Sequence, residues 1–264
     1  LWDPLYTSNM PDQTLSGKVA IITGSNTGIG AAIAHELSSR GAYIVINYPY
    51  STLHDTALQV RDSLATAAHS SVREADLSTV DGAQHLISFT VERYGHIDIL
   101  VNNAGLAVNK PLEDQNLADW DQLVNLNGRG VFLTTQAALA HLSKESRIIN
   151  IVSISARAAP PLQTIYAGTK GMVDSFTRVW AKELPRKYSC TVNAVSPGPT
   201  MTEGFAAAGE EFMREMRPVM EGTPVGDRMA RPEEIAFAVA FLCEPRAGWI
   251  NGLHLVASGG LFVD

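Results

Sequence analysis

Short apolar runs alternate with longer stretches of helical periodicity along most of this chain, and that succession admits few folds. The runs Val19–Thr23, Tyr43–Asn47, Ile97–Asn102, Arg147–Ser153, Thr191–Val195 and Leu253–Val256 show no clean alternation of apolar and polar residues. Such runs read as strands buried on both faces, as in a parallel sheet. A weaker strand is expected over Ser71–Ala75. Helical periodicity fills 28–40, 53–67, 79–94, 117–142, 164–187 and 232–243. The pattern predicts an α/β fold: one doubly wound, Rossmann-type domain with a parallel sheet of about seven strands and helices on both faces.

No composition break divides the 264 residues, so a single catalytic domain is expected over 17–264. Residues 1–16, with Pro4 and Pro11, read as an N-terminal arm. A formal charge of −7 argues against a nucleic-acid surface. No run of about 18 apolar residues is present, so no membrane span is expected. No signal peptide of the usual form is recognisable. Cys190 and Cys243 form no CxxC pair, which fits a reduced, cytoplasmic setting. The seven His show no HxxxH or HExxH spacing, and no protein metal site is expected. Residues 199–228 are rich in Gly, Met, Glu and Pro and follow the sixth strand. A segment of that length at the strands' C-terminal edge reads as a substrate lid.

The first strand runs directly into Thr23-Gly24-Ser25-Asn26-Thr27-Gly28-Ile29-Gly30, and a helical pattern follows. Strand, glycine-rich turn and helix is the context in which such a turn binds phosphate. Gly24 permits a tight turn, Gly28 a close approach to a pyrophosphate, and Gly30 close packing of helix on strand. The helix N-terminus adds free N–H groups and a partial positive charge. After the second strand comes Asn47-Tyr48-Pro49-Tyr50-Ser51-Thr52. A carboxylate there would bind a ribose 2′-hydroxyl and select NAD(H). Its absence permits NADP(H), with Ser51 and Thr52 available to a 2′-phosphate. NADP(H) is therefore preferred and NAD(H) remains open, since no Arg or Lys stands at the strand end.

Tyr166 and Lys170 are four apart in a helical stretch and so share one face. An ammonium beside a phenol favours the phenolate. A phenol tuned toward working pH can act as both acid and base. A lone Tyr-x3-Lys is more often a solvated helix surface, but here it has company. Ser153 ends the fifth expected strand, where its hydroxyl can meet a substrate oxygen as charge builds. Ser155 is its rival, two residues further on. No His accompanies either serine at triad-like positions, which disfavours a hydrolase. Asn127, before Gly128 in mid-helix, suggests a local kink holding a water, with Asn125 as competitor.

With these motifs in order, the sequence resembles the single-domain short-chain dehydrogenase/reductase family over nearly all of residues 17–260. The resemblance rests on Thr23-Gly24-x3-Gly28-Ile29-Gly30, Asp76-Leu77, Asn102-Asn103-Ala104-Gly105, the set Asn127, Ser153, Tyr166 and Lys170, and Pro197-Gly198-Pro199-Thr200-Met201-Thr202. It implies that Tyr166 is the general acid in reduction and the base in oxidation. Lys170 would lower its pKa and bind the nicotinamide ribose, Ser153 would orient the carbonyl, and Asn127 would fix a water leading to Lys170. Asp76 and Leu77 would contact adenine, and Asn103, Ala104 and Gly105 would flank the adenosine. The 197–202 loop, with Pro197, Gly198, Thr200 and Thr202, would hold the nicotinamide amide. A homo-oligomer, tetramer or dimer, is implied. Small residues at Ala236, Ala238, Ala240, Gly168 and Gly171 would allow its subunits to pack closely. The family's basic residue before the second glycine is Thr27 here, and its Val-Asp-Gly-Gly strand ending is Val256-Ala257-Ser258-Gly259-Gly260. The second strand's Asn-Tyr ending resembles that of reductases of aromatic polyketides, quinones and acyl-carrier-protein substrates.

The expected function is thus reduction of a ketone or quinone carbonyl, a small-molecule partner. Phe205, Phe212, Met213, Met216 and Met220 in the lid suit a bulky hydrophobic substrate. An NAD-dependent alcohol dehydrogenase, or a non-redox relative that uses the fold as a binding module, are the alternatives.

Overall fold

The computed structural model describes residues 13–206 and 209–264. In chain order the elements are β1 (Val19–Ile22), α1 (Gly28–Ser39), β2 (Tyr43–Tyr48), α2 (His54–Ser63), β3 (Ser71–Glu74), α3 (Gly82–Tyr94) and β4 (Ile97–Asn102). Then follow α4 (Leu117–Leu123), a π-helical segment (Val124–Gly130), α5 (Val131–Ala138), β5 (Leu142–Ile151), α6 (Ser155–Ala158), α7 (Thr164–Glu183) and α8 (Pro185–Tyr188). The last are β6 (Cys190–Pro197), α9 (Glu203–Ala206), α10 (Gly209–Glu221), α11 (Pro232–Cys243) and β7 (His254–Ala257). All seven strands join one sheet in the order β3-β2-β1-β4-β5-β6-β7, and every pairing is parallel.

The strands lack polar alternation because both faces are covered. In β1, Ala20 and Ile22 face one cluster with Ile33 and Leu37 of α1 and Val239 of α11. Ile21 between them faces the opposite cluster with Leu86 and Ile87 of α3. A side chain in a strand points to the face opposite its neighbours, so an apolar residue is needed at every position. The strand order reverses between β1 and β4, and their C-terminal ends open the crevice where such sheets bind ligands.

Three expected element boundaries are corrected. The helix expected over 117–142 is divided: α4 passes through the π-helical turn into α5, which ends at Ala138. β5 then starts at Leu142, five residues before the apolar run. Lys144 and Glu145 hide that start in the sequence, and the pairing with β4 shifts register there. The helix expected over 164–187 breaks after Glu183, where Pro185 opens a new turn. Of the arm expected over 1–16, residues 1–12 lie outside the described residues, and the rest docks on the body. Leu15 is 1% exposed, and its N–H donates to Arg40 O at 2.9 Å. No described helix is long and apolar enough to cross a membrane.

Candidate active site

The site is assembled at the C-terminal ends of β1, β4, β5 and β6. Its floor is the turn after β1. Gly24 and Gly28 adopt φ of +58° and +57°, in the left-handed region that favours glycine. A Cβ at Gly30 would lie 2.4 Å from Gly24 O, so α1 approaches the strand as only glycine permits. Thr27 is the N-cap of α1 but makes no side-chain cap hydrogen bond, and the first turn holds no acidic residue. That leaves a left-handed cradle and a helix N-terminus not capped by its own N-cap side chain, which suits a dinucleotide pyrophosphate. Thr23, just before the cradle, carries a role that its place in the motif does not reveal. Its Oγ1 accepts from Asn103 N and Ala104 N, both at 2.9 Å, and locks the turn to the loop after β4. Asn103 Nδ2 completes the lock by donating to Thr23 O and Gly24 O.

Other residues expected at the cofactor divide by where their side chains go. Ser25 Oγ donates to Ile22 O, and Asn26 is 7% exposed in the same turn. Asn47 is 1% exposed and fully engaged: Oδ1 accepts from Gly24 N and Nδ2 donates to Ala75 O. Tyr48 is 3% exposed, with Oη 2.5 Å from His54 Nδ1, and its ring lies in the core. The polar atoms of these two side chains are engaged within the fold beside the glycine turn. Ser51 is exposed at the turn before α2, open to a phosphate. Asp76 Oδ1 accepts from Ser78 N and Oγ, and Leu77 is buried beside it.

Opposite the glycine turn, β6 ends at Pro197 and the chain crosses back over the crevice. Gly198 is held there by contact: a Cβ would lie 3.0 Å from Ser258 Cα. Thr200 Oγ1 donates to Gly198 O. The Thr202 methyl reaches the position of a Gly28 Cβ at 3.2 Å, which closes this loop over the cradle. Phe205 lies in the short helix α9, while the side chains of Phe212 and Met213 lie outside the described residues.

Tyr166 and Lys170 lie on α7 and face inward. Lys170 is 5% exposed; its Nζ donates to Ile151 O at 2.9 Å and sits 5.9 Å from the centroid of the Tyr166 ring. Ser153 is 9% exposed at the mouth of β5, hydrogen-bonded to the Tyr166 phenol. Ser155 turns its N–H back to Ser153 Oγ at 3.1 Å. Burial raises the Tyr166 pKa, and the Ser153 hydrogen bond offsets this only in part. Burial lowers the Lys170 pKa to about 8. The sequence had suggested that Lys170 pulls the phenol down. Here the ammonium is itself desolvated and turned to Ile151 O, so the phenol stays protonated.

Asn127 is fully buried in the π-helical turn, the kink its sequence context suggested. Its Oδ1 accepts from Leu106 N at 2.9 Å; its Nδ2 donates to Leu106 O at 2.8 Å and to Thr169 Oγ1 at 3.1 Å. The side chain is therefore spent on pinning the loop after Gly105 to α7. A Cβ at Gly105 would lie 3.3 Å from both Asn127 Oδ1 and Lys170 Nζ, so the three converge.

The small residues suggested for subunit packing do not all lie outside. Ala236 and Ala240 are buried against the chain's own core, and Ala238 packs against it. Gly168 and Gly171 face open space.

The profile of one family, described as enoyl-(acyl carrier protein) reductase, matches residues 24–262. A protein named short-chain dehydrogenase/reductase FrzI, from Cladobotryum sp, is 38% identical over 254 residues, covering 95% of this chain and 98% of its own. A hydroxynaphthalene reductase-like protein Arp2 from Metarhizium anisopliae is 36% identical, covering 97% of this chain and 99% of its own. Among solved structures, a blue fluorescent protein from a metagenomic library, in complex with NADPH, superposes with a TM-score of 0.87 at 32% identity. It covers 95% of this chain and 100% of its own.

Proposed function

This chain belongs to the short-chain dehydrogenase/reductase family, and from that premise we propose that it reduces a ketone or quinone carbonyl, or oxidises the matching alcohol, with NADP(H) as cofactor. The observation that carries the reading is the convergence of Ser153, Tyr166 and Lys170 in one buried corner, facing a left-handed glycine cradle. The glycine turn and the start of α1 would hold the pyrophosphate. Ser51 and the turn before α2 would take the 2′-phosphate, Asp76 and Leu77 the adenine, Asn103, Ala104 and Gly105 the adenosine flank, and Thr200 and Thr202 the nicotinamide amide. When bound, the nicotinamide supplies the hydride.

The chain's own residues handle the proton. Ser153 holds the carbonyl oxygen by hydrogen bond, and Tyr166 donates its phenolic proton to it. A raised pKa keeps the phenol protonated near neutral pH, the form a general acid needs. Lys170, with a pKa near 8, can exchange a proton close to working pH. The Asn127 side chain is engaged by Leu106 and Thr169. A relay water would therefore rest on a main-chain carbonyl, of the kind a π-turn leaves without its usual i+4 partner.

Exposed Leu106 and Leu162 lie on the two loops that meet above the site, where Lys110 N donates to Leu162 O. They support a bulky apolar substrate, as do the hydroxynaphthalene reductase-like relatives. Residues 199–228 are proposed as the lid over that substrate. Incubation with NADPH and polycyclic ketones or quinones, followed by loss of reduced-nicotinamide absorbance, is expected to show turnover that NADH supports less well. Turnover of small polar ketones alone would remove the substrate reading, and no binding of either cofactor would remove the reductase. NADH supporting the faster reaction would favour the NAD-dependent alcohol dehydrogenase.

A homo-oligomer is also proposed. Val179 of α7 (54% exposed), Phe132 of α5 (40%), Phe237 and Phe241 of α11, and Trp249 (99%) are large apolar side chains left open to solvent. Light scattering after size exclusion is expected to give two or four chains; the mass of a single chain would refute it.

A further inference from the structure

The carboxylate of Glu203 sits on the N-terminus of α1. Gly28 N donates to Glu203 Oε2 at 2.9 Å, across 175 positions of sequence. Two features of α1 make this contact informative. Its N-cap Thr27 makes no side-chain cap, and its first turn holds no acidic residue, so the anion there comes from elsewhere. Thr202, next to Glu203, packs its methyl on Gly28, so the contact is held by apolar packing as well as by charge. Glu203 also opens α9, the first helix of the segment proposed as the lid.

We infer that Glu203 is a resident anion that competes with the cofactor's pyrophosphate for the N-terminus of α1, and so couples cofactor entry to movement of the 202–206 segment. The inference rests on the reading that the glycine turn binds the dinucleotide. A helix N-terminus attracts anions through its free N–H groups and partial positive charge. A carboxylate and a diphosphate cannot share the Gly28 amide, and like charges placed this close repel. Cofactor binding therefore has to displace Glu203 and, with it, the loop that Thr202 holds down.

The test is Glu203→Gln, read in two ways. In titrations followed by NADPH fluorescence, Glu203→Gln is expected to bind about three- to tenfold more tightly than the parent, since one competing charge is gone. Adenosine, which lacks the pyrophosphate, is expected to bind both equally. In the cofactor-free proteins, the amide proton resonance of Gly28 is expected at a different position in Glu203→Gln than in the parent, because the carboxylate that accepts from it is gone. Equal or weaker NADPH binding by the variant, or a Gly28 resonance at the same position in both, would overturn the proposal. If neither protein binds NADPH, the cofactor reading itself falls, and the Gly28 resonance still reports whether the carboxylate sits there.

Discussion

Replacing Tyr166 by Phe is expected to lower kcat by about 10²- to 10⁴-fold, the usual contribution of a positioned general acid. The substitution removes one oxygen and leaves the ring, which lies 5.9 Å from Lys170 Nζ. It loses the hydrogen bond with Ser153, a cost of about 1 kcal/mol in stability. The glycine cradle is untouched, so NADPH affinity is expected to stay within about twofold, the signature of an interaction used only in the transition state. Parallel measurement of kcat and of NADPH binding checks both halves. A variant that keeps more than about a tenth of the parent rate would assign the proton to another group. In that event the non-redox reading of the chain would gain ground.

Much of this arrangement can be read from sequence because its causes are local. The glycine turn declares itself through three glycines between a strand and a helix, and each is tied to a conformation or a contact. Ser153 is found because it ends an apolar run, and Tyr166 with Lys170 because a helix places i and i+4 together. What sequence hides is set by partners far along the chain. The end of the Met172 side chain on α7 packs where a Cβ of Gly128 would stand, at 2.8 Å, and that contact has no local signal. Asn47 and Tyr48 stand at the cofactor end of β2 by position, and the folded chain commits their polar atoms to Gly24, Ala75 and His54. The strand end alone does not say which polar side chain the glycine turn will claim. Glu203 is an exposed carboxylate in the segment after β6, and only the folded chain brings it to Gly28. The π-turn is a middle case: Asn127 and Gly128 marked a kink, but not that the side chain would be spent on Leu106.

The second large effect concerns Lys170, where function and stability are expected to oppose each other. Its ammonium is buried with one carbonyl partner, Ile151 O, and its pKa falls from 10.5 to about 8. Holding that charge in the native state costs about 3 kcal/mol at neutral pH. Lys170→Met keeps the volume and removes the charge, at the expense of leaving Ile151 O without its donor, about 1 kcal/mol or more. The variant is therefore expected to be more stable than the parent by about 1 to 2 kcal/mol at pH 7, and to lose about 10²-fold or more in kcat. The sign of the pH dependence follows from proton counting. Between pH 8 and 10.5 the unfolded parent still holds the lysine proton while the native state has released it, so parent stability rises with pH in that window. Lys170→Met lacks this contribution. Its advantage should be constant below about pH 8 and should shrink across the window, until only the loss at Ile151 O remains. Urea unfolding of both proteins at pH 7 and at pH 10 measures the difference directly. A variant less stable than the parent at pH 7 would mean that the ammonium is solvated in the native state, and that its pKa is not depressed. The buried charge would then be no cost, and Lys170 would have to be read as an ordinary structural lysine whose contact with Ile151 O holds α7 to β5.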